Sequence, residues 1–254
     1  MHRPYILAEA NWESLREERF DLAILPWGAT EAHNYHLPYG TDNYQAESMV
    51  ELAAKGAWEK GKKVIVLPTL PYGVNTGQKD IYLDINLNPS TQLAILKDIV
   101  TVLNRQGIYK LLLFNGHGGN DFKPIIRELG LLFPKMFISF CFFPKMLDKA
   151  AYFQEKGDHA DEMETSLMLY LRPDLVLEKE KWGRGEEKKI KIDGYNQGWV
   201  WAERQWSKVS ADTGIGNPEH ATPEKGEQFF NDICAMVDTL MCSLCDADLN
   251  DLYA

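Results

Sequence analysis

Basic residues are in short supply: 27 Lys and Arg stand against 37 Asp and Glu, a formal net charge of -10 over 254 residues. A surface that neutralises phosphates needs a cationic footprint, so the balance argues against a nucleic-acid or anionic-membrane partner. A small neutral or cationic ligand is electrostatically easier. No uninterrupted apolar run approaches the ~20 residues of a membrane span. The first residues, MHRPYILAEANWESL, lack an apolar stretch with a small-residue cleavage site, and the chain reads as cytoplasmic. Cysteine is scarce too, with four residues at 141, 234, 242 and 245, which do not make a disulfide framework. The C-S-L-C spacing of Cys242 and Cys245 has no second Cys or His pair to complete a zinc site and falls on an amphipathic helical pattern, so these thiols read as structural or incidental. The phosphate-binding loop, GxSxG and HExxH patterns are absent, as are internal repeats, which weakens ATPase, serine-hydrolase and zincin readings.

What is present describes an ordinary globular chain: 45% of residues are hydrophobic and 25% charged, enough to bury a sizeable core. No clear linker breaks it, so residues 1–254 read as one domain. Short apolar runs at 21–27, 64–68, 110–114 and 137–143 predict buried strands. Apolar residues at three- and four-residue spacing predict helices over 43–59, 90–106, 123–132, 161–171 and 223–245, with Ser90 and Asp161 as caps and Gly107 as a stop. Such alternation implies an α/β fold, a mostly parallel sheet with helices on both faces. Ligands then belong at the carboxyl ends of strands. The mixed-charge run at 178–191 reads as a solvated loop. The following GWVWAERQW, with Trp199, Trp201 and Trp206, could line a pocket or cover a subunit contact; core or interface packing is the favoured role.

Of six histidines, those at 33, 36, 117 and 159 sit in three short segments crowded with carboxylates and glycines. His and carboxylate side chains at short spacing on strand-end loops supply the ligands that zinc, manganese and iron prefer. In LPWGATEAHNYHLPYGTDN, Glu31 and His33 are two apart and project to the same side if the chain stays extended. Asp42 follows a loop turned by Pro38 and Gly40. It would be either a plain helix cap or, because a carboxylate can bridge two cations, the bridging ligand of a dinuclear site. His36 reads as a substrate contact or a supporting group. In FNGHGGND, glycines let the backbone take left-handed turns and bring His117 close to a ligand; the same residues could cradle an anion. In GDHADEMETS, His159 and Glu162 are expected on one face of an opening helix while Glu164 points elsewhere. Complementing the helix dipole is the plain alternative for these acids.

Together these segments resemble the creatininase (creatinine amidohydrolase) family, whose patterns are G-x-x-E-x-H-G-x-H-L-P-x-G-T-D, N-G-H-G-G-N and H-A-G-E-x-E-T-S. A later stretch, TGIGNPEHATPEKG at 213–226, looks like the family's G-x-x-G-x-P-x-x-A-T-x-E-K-G. The resemblance implies a three-layer α/β/α domain, a homo-oligomer of hexameric form, and two divalent metal ions, zinc, manganese or iron. By resemblance Glu31 and His117 would hold one metal, His33 the other, and Asp42 would bridge them. Creatininase proper has a metal-binding glutamate two residues after the His of the second motif, where this chain has Gly119; Glu162 is the expected replacement. Creatininase proper also closes a tryptophan over its substrate four residues before the His of the third motif, and Glu155 stands at that place here. That departure points away from creatinine itself and not from amide hydrolysis. Asn34 and Asp161 replace glycines of the patterns.

The expected activity is cleavage of a C–N amide bond in a cyclic amide such as creatinine, a formamide or a peptide, by a hydroxide bridging two metals. His159 would pass a proton to the leaving nitrogen, with Glu162 as ligand or proton relay. Gly118, Gly119, Asn120 and His36 would face the substrate. The alternative class is a non-catalytic binding module, with GHGGN cradling an anion and one structural metal.

Overall fold

The computed structural model describes residues 3–253. Four parallel strands, β1 (Leu22–Trp27), β2 (Val64–Val66), β3 (Lys110–Asn115) and β4 (Phe137–Phe142), form a sheet in the order β2-β1-β3-β4. Strands covered on both faces must be apolar on both, and LAILPW of β1 is buried at every position. Along β1, Leu22 and Ile24 face one core while Ala23, Leu25 and Trp27 face the other, as strand alternation requires.

Five long helices supply the outer layers. On one face α1 (Thr41–Glu59), α4 (Glu162–Leu171) and α5 (Pro223–Asp246) bring Met49, Val50, Leu167, Phe229 and Ile233 against Leu112 and Phe114 of the sheet. On the other, α2 (Pro89–Gln106) and α3 (Phe122–Leu132) bring Leu96, Val100, Phe122 and Leu129 against Leu25 and Leu113. The result is the expected three-layer α/β/α arrangement.

The predicted strands and helices appear in order, with small shifts at their ends. Gly107 closes α2 with a left-handed φ of 80°, a conformation open to glycine, and Asp161 caps α4 by accepting the Glu164 N–H at 3.0 Å. Ser90 is not a cap. Asn88 holds that position, with Pro89 opening α2, where a fixed φ and a missing N–H suit the first turn. The four cysteines are free, and those of α5 pack on the first core. No described helix is long and apolar enough to cross a membrane. Core packing fails as the role of two tryptophans, since Trp199 is 73% and Trp201 84% exposed.

Candidate active site

The site forms where β1 and β3 end side by side, Trp27 being paired with Asn115. The chain leaving β1 carries Glu31 and His33, is fastened by Glu31 N–H to Tyr39 O at 3.2 Å, and returns through the first turn of α1, which carries Asp42. The chain leaving β3 carries His117. All four side chains are buried.

Their geometry is that of a ligand cluster. His117 Nδ1 lies 2.8 Å from Glu31 Oε1 and 3.1 Å from Asp42 Oδ2. His33 Nε2 lies 3.0 Å from Asp42 Oδ1 and 4.0 Å from Glu164 Oε1. Two three-residue sets share Asp42, namely Glu31–Asp42–His117 and His33–Asp42–Glu164, the ligand atoms of each lying within 4.8 Å of one another. Asp42 presents a different oxygen to each histidine, and its Oδ2 has no aligned hydrogen-bond donor. A third set joins Glu31 and His33 to His159.

Hydrogen bonds on the far side of the rings fix which nitrogen carries the proton. His33 Nδ1 lies 3.1 Å from Glu31 O, His117 Nε2 3.0 Å from Val74 O, and His159 Nε2 2.8 Å from Ala32 O. A carbonyl only accepts, so each of these nitrogens donates, and the remaining nitrogen of each neutral ring is bare. Bare nitrogens facing carboxylate oxygens repel unless a proton or a cation lies between them. Backbone carbonyls that orient imidazoles in this way are typical of metal sites, and the donor set of imidazole and carboxylate suits zinc, manganese or iron.

Electrostatics points the same way. Burial opposes a charge on His33, yet Asp42 and Glu164 push it up to about 10. His117 is likewise raised, against burial, by Glu31 and Asp42. Burial would raise Glu31, but His117 and His159 hold it below its ordinary value. Burial pushes Glu164 up to about 8 despite His33. The cluster calls for added positive charge. His159 differs: burial and then His33 lower it, so it stands neutral.

One expectation reverses. Glu162 does not reach the cluster; its carboxylate accepts the N–H of Gln154 and Glu155 at 2.8 Å each and pairs with Lys225. The helical spacing of His159 and Glu162 fails because α4 begins only at Glu162, and residues 159–161 are not helical. Glu164 faces His33 instead, its other oxygen taking the Ala160 N–H.

Gly119 shows why the carboxylate comes from α4. A Cβ there would stand 2.2 Å from Val74 O and 2.5 Å from His117 Nε2, so no side chain fits beside the carbonyl that orients His117. None of Gly116, Gly118 and Gly119 has positive φ, so left-handed turns are not their role; Gly119, and less tightly Gly116 with a Cβ 3.0 Å from Asp42 O, serve close approach, while Gly118 has room for a side chain. Gly118 and Gly119 are exposed at the rim. Asn120, expected at the substrate, is a fastener: it accepts from Val74 N–H at 3.1 Å and Gln92 at 2.7 Å and donates to Asn115 at 2.9 Å. His36 is buried away from the cluster, with Nε2 2.9 Å from Thr165 Oγ1 and its ring stacked on Trp182 at 4.9 Å.

Two neighbours, Gln78 and Asp84, carry no sequence signal of their own, and a third, Trp206, comes from the stretch expected to line a pocket or to pack. Gln78 donates to Glu31, and Asp84 accepts the Ala32 N–H at 2.7 Å. Trp206 meets the His159 ring edge-on at 4.9 Å. Left-handed backbone at Asn34, Leu83, Ala160 and Thr213 surrounds the site, the kind of local strain that gathers where function over-determines structure. Asn34 tolerates its φ of 54° and ties residue 183 to the loop, its side-chain amide bonding Gly183 O at 3.0 Å and Gly183 N–H at 2.9 Å.

The family model for creatininase, described as creatinine amidohydrolase, matches residues 8–241. The chain belongs to the creatininase family. Creatinine amidohydrolase of Pseudomonas putida is 29% identical over 176 residues, 60% of this chain and 65% of the relative. A 3-dehydro-scyllo-inosose hydrolase of Thermotoga maritima is 29% identical over 189 residues, 68% of this chain and 57% of the relative. The chain thus spans less than two thirds of the length of these relatives, 65% of one and 57% of the other. A solved structure from Bacteroides fragilis NCTC 9343, provisionally named a creatinine amidohydrolase, is 38% identical with a TM-score of 0.92 and covers 100% of both chains. A creatininase structure at 22% identity, TM-score 0.76, covers 96% of this chain and 99% of its own, a likeness of fold.

Proposed function

We propose that the chain is a dinuclear metal-dependent amidohydrolase acting on a small amide: a cyclic amide such as creatinine, a formamide or a peptide bond. The observation that carries this reading is the two ligand sets sharing Asp42, with His33 and His117 each anchored by one N–H and turning a bare nitrogen inward. Glu31, Asp42 and His117 would hold one divalent ion, and His33, Asp42 and Glu164 the second. Creatininase structures exist in Zn–Zn and Mn forms, which supports zinc or manganese; iron suits the same donors. When bound, such ions acidify a water and polarise a carbonyl. Charge supports a pair: three carboxylates carry three negative charges, which two divalent cations and one hydroxide would balance.

His159 is the proton carrier in this reading. Its Nε2–H is held by Ala32 O, and its bare Nδ1 points at the cluster, 3.8 Å from Glu31. Kept neutral by burial and by His33, it accepts a proton from the attacking water and returns it to the leaving nitrogen. Trp206, against the same ring, and the rim at Gly118 and Gly119 would border the substrate. Against the anion-cradle alternative, residues 116–119 lack the left-handed glycine that an anion nest uses. The Thermotoga relative is named for an inosose, so the substrate screen should extend beyond creatinine.

The chain would work as one domain in the cytoplasm, where four free thiols suit a reducing milieu, and as a homo-oligomer. The exposed Ile190, Ile192, Trp199 and Trp201 favour self-association.

Elemental analysis of protein purified without chelator tests the reading. Two ions per chain are expected in the parent and in Glu162→Gln, and fewer in Glu164→Gln. One ion or none in the parent, indifferent to Glu164→Gln and to added zinc or manganese, would sink it.

A further inference from the structure

Glu162 is fully buried yet belongs to neither ligand set, and a buried carboxylate is costly unless every oxygen is matched. One oxygen takes the N–H groups of Gln154 and Glu155, 2.8 Å each; the other pairs with Lys225 Nζ. Lys225 also donates to His220 O at 2.9 Å. It sits in the first turn of α5, which is capped by Thr222 accepting the Lys225 N–H at 3.3 Å and fastened to α4 by Thr222 N–H to Ser166 Oγ at 3.2 Å. One carboxylate therefore joins the start of α4, the start of α5 and the chain at 154–155.

What leaves that chain is the loop bearing His159. Beyond Glu155 the loop is tied at Gly157 O by Lys149 at 3.3 Å, and at Asp158 and His159 by their N–H groups to Ile215 O at 2.8 and 3.1 Å. Ala160 follows with a left-handed φ of 48°, its N–H on Glu164. Two glutamates of one helical turn thus grip opposite ends of the loop: Glu164 the end at the ligand cluster, Glu162 the far end.

We propose that the Glu162–Lys225 pair is a positioning device that sets the depth at which His159 stands over the ligand cluster. This rests on the amidohydrolase reading for its effect on turnover, and on geometry alone for the clamp. Glu162 acts through the loop; it touches neither ion nor substrate.

The test compares Glu162→Ala, Glu162→Gln and Lys225→Met in the full-length, metal-loaded chain. Amide hydrogen exchange at Gln154 and Glu155 is expected to quicken at least ~10-fold in Glu162→Ala while the sheet stays protected. Metal content should remain at the parent's level. On the amide substrate found by screening, kcat should fall ~10- to 100-fold with KM moving less than twofold, since a small misplacement of a proton carrier is felt in the chemical step. Glu162→Gln, which keeps an acceptor for the backbone N–H groups, should recover most of kcat. Lys225→Met, which keeps the carboxylate, should lose less than Glu162→Ala and serves if that variant does not fold. Unchanged exchange, or a lowered Tm with parental kcat in the folded protein, would overturn the proposal; so would loss of an ion in Glu162→Gln, which would make Glu162 a ligand. A parent without bound metal and without amide turnover defeats the functional reading instead, and the exchange result still judges the clamp.

Discussion

Glu31, His33, Asp42 and His117 reach the cluster from the ends of two paired central strands and from the first turn of α1, whereas His159 rides on a loop outside the sheet and Glu164 on a helix that begins only at residue 162. The first group is fixed by ladder hydrogen bonds and by backbone carbonyls behind its rings. The second also has a carbonyl behind its ring, Ala32 O at 2.8 Å from His159 Nε2, and backbone bonds to Ile215, but outside the sheet it adds side-chain ties, Lys225–Glu162, Lys149–Asp161 at 3.1 Å and Arg204–Asp158 at 2.5 Å, and left-handed Ala160 and Thr213. The Arg204–Asp158 pair is half exposed and adds little to stability in salt. The contrast suggests a division of labour. Under the proposed reading the sheet-borne half would supply most of the metal ligands, and the loop-borne half would add Glu164 to them and carry the proton on His159.

The largest expected effect separates the halves directly. His159→Ala should lower kcat by ~10²- to 10⁴-fold, the range for a lost proton carrier, while metal content measured by elemental analysis stays at the parent's level. Loss of an ion with the activity would put His159 among the ligands, as its nearness to Glu31 and His33 permits, and would erase the contrast.

The two halves also differed in how far the sequence disclosed them. Apolar runs that end at Trp27 and Phe114 mark the strand ends where Glu31, His33 and His117 begin, but the residues alone leave Asp42 open as a helix cap and GHGGN open as an anion cradle; the family resemblance is what joins the four into one ligand set. The loop-borne half was legible in composition only. Whether Glu162 or Glu164 faces the cluster depends on where α4 starts, and the Asp161 cap moves that start past His159, so a spacing counted along a helix did not apply. The Trp206–His159 contact and the Gln78–Glu31 bond join residues 47 apart in sequence, and no local pattern announces them. The sequence suggests turn formers in the glycines of GHGGN, whereas the reason for Gly119 is the Val74 carbonyl, a neighbour brought by the fold.

His36 spans the two halves, sitting on the first loop while bonding Thr165 of α4. Burial, and then His33, push its imidazole down to about 4, below the ordinary 6.5. The unfolded chain therefore takes up this proton first as the pH falls. The stability held by the neutral ring is complete above pH 6.5 and is lost on the way to pH 4, by about 3 kcal/mol if nothing else titrates. Urea unfolding of chelator-treated protein should show the parent losing that much more than His36→Gln between pH 7 and 4. Parallel pH profiles would mean that His36 is not held neutral and that the two halves are not joined through it.

The smallest expected effect tests why the two halves must share the ligands. If Val74 O occupies the place where a residue-119 side chain would begin, Gly119→Ala must either displace that carbonyl or tilt His117, and overpacking of this kind costs about 1–3 kcal/mol. Gly118 is the internal control, because a Cβ there meets nothing nearer than Phe142 at 3.8 Å. Gly118→Ala should unfold at the parental denaturant midpoint and keep the parental metal affinity. Gly119→Ala should lower the midpoint and weaken metal binding together, His117 having lost the acceptor of its Nε2–H. For the same reason Gly119→Glu should not restore a carboxylate ligand at the second motif, since the side chain cannot enter while residue 74 holds its place. A Gly119→Ala protein with parental stability and metal affinity would show that the Val74 segment yields. Glu164 would then be one of two places from which the third carboxylate could come.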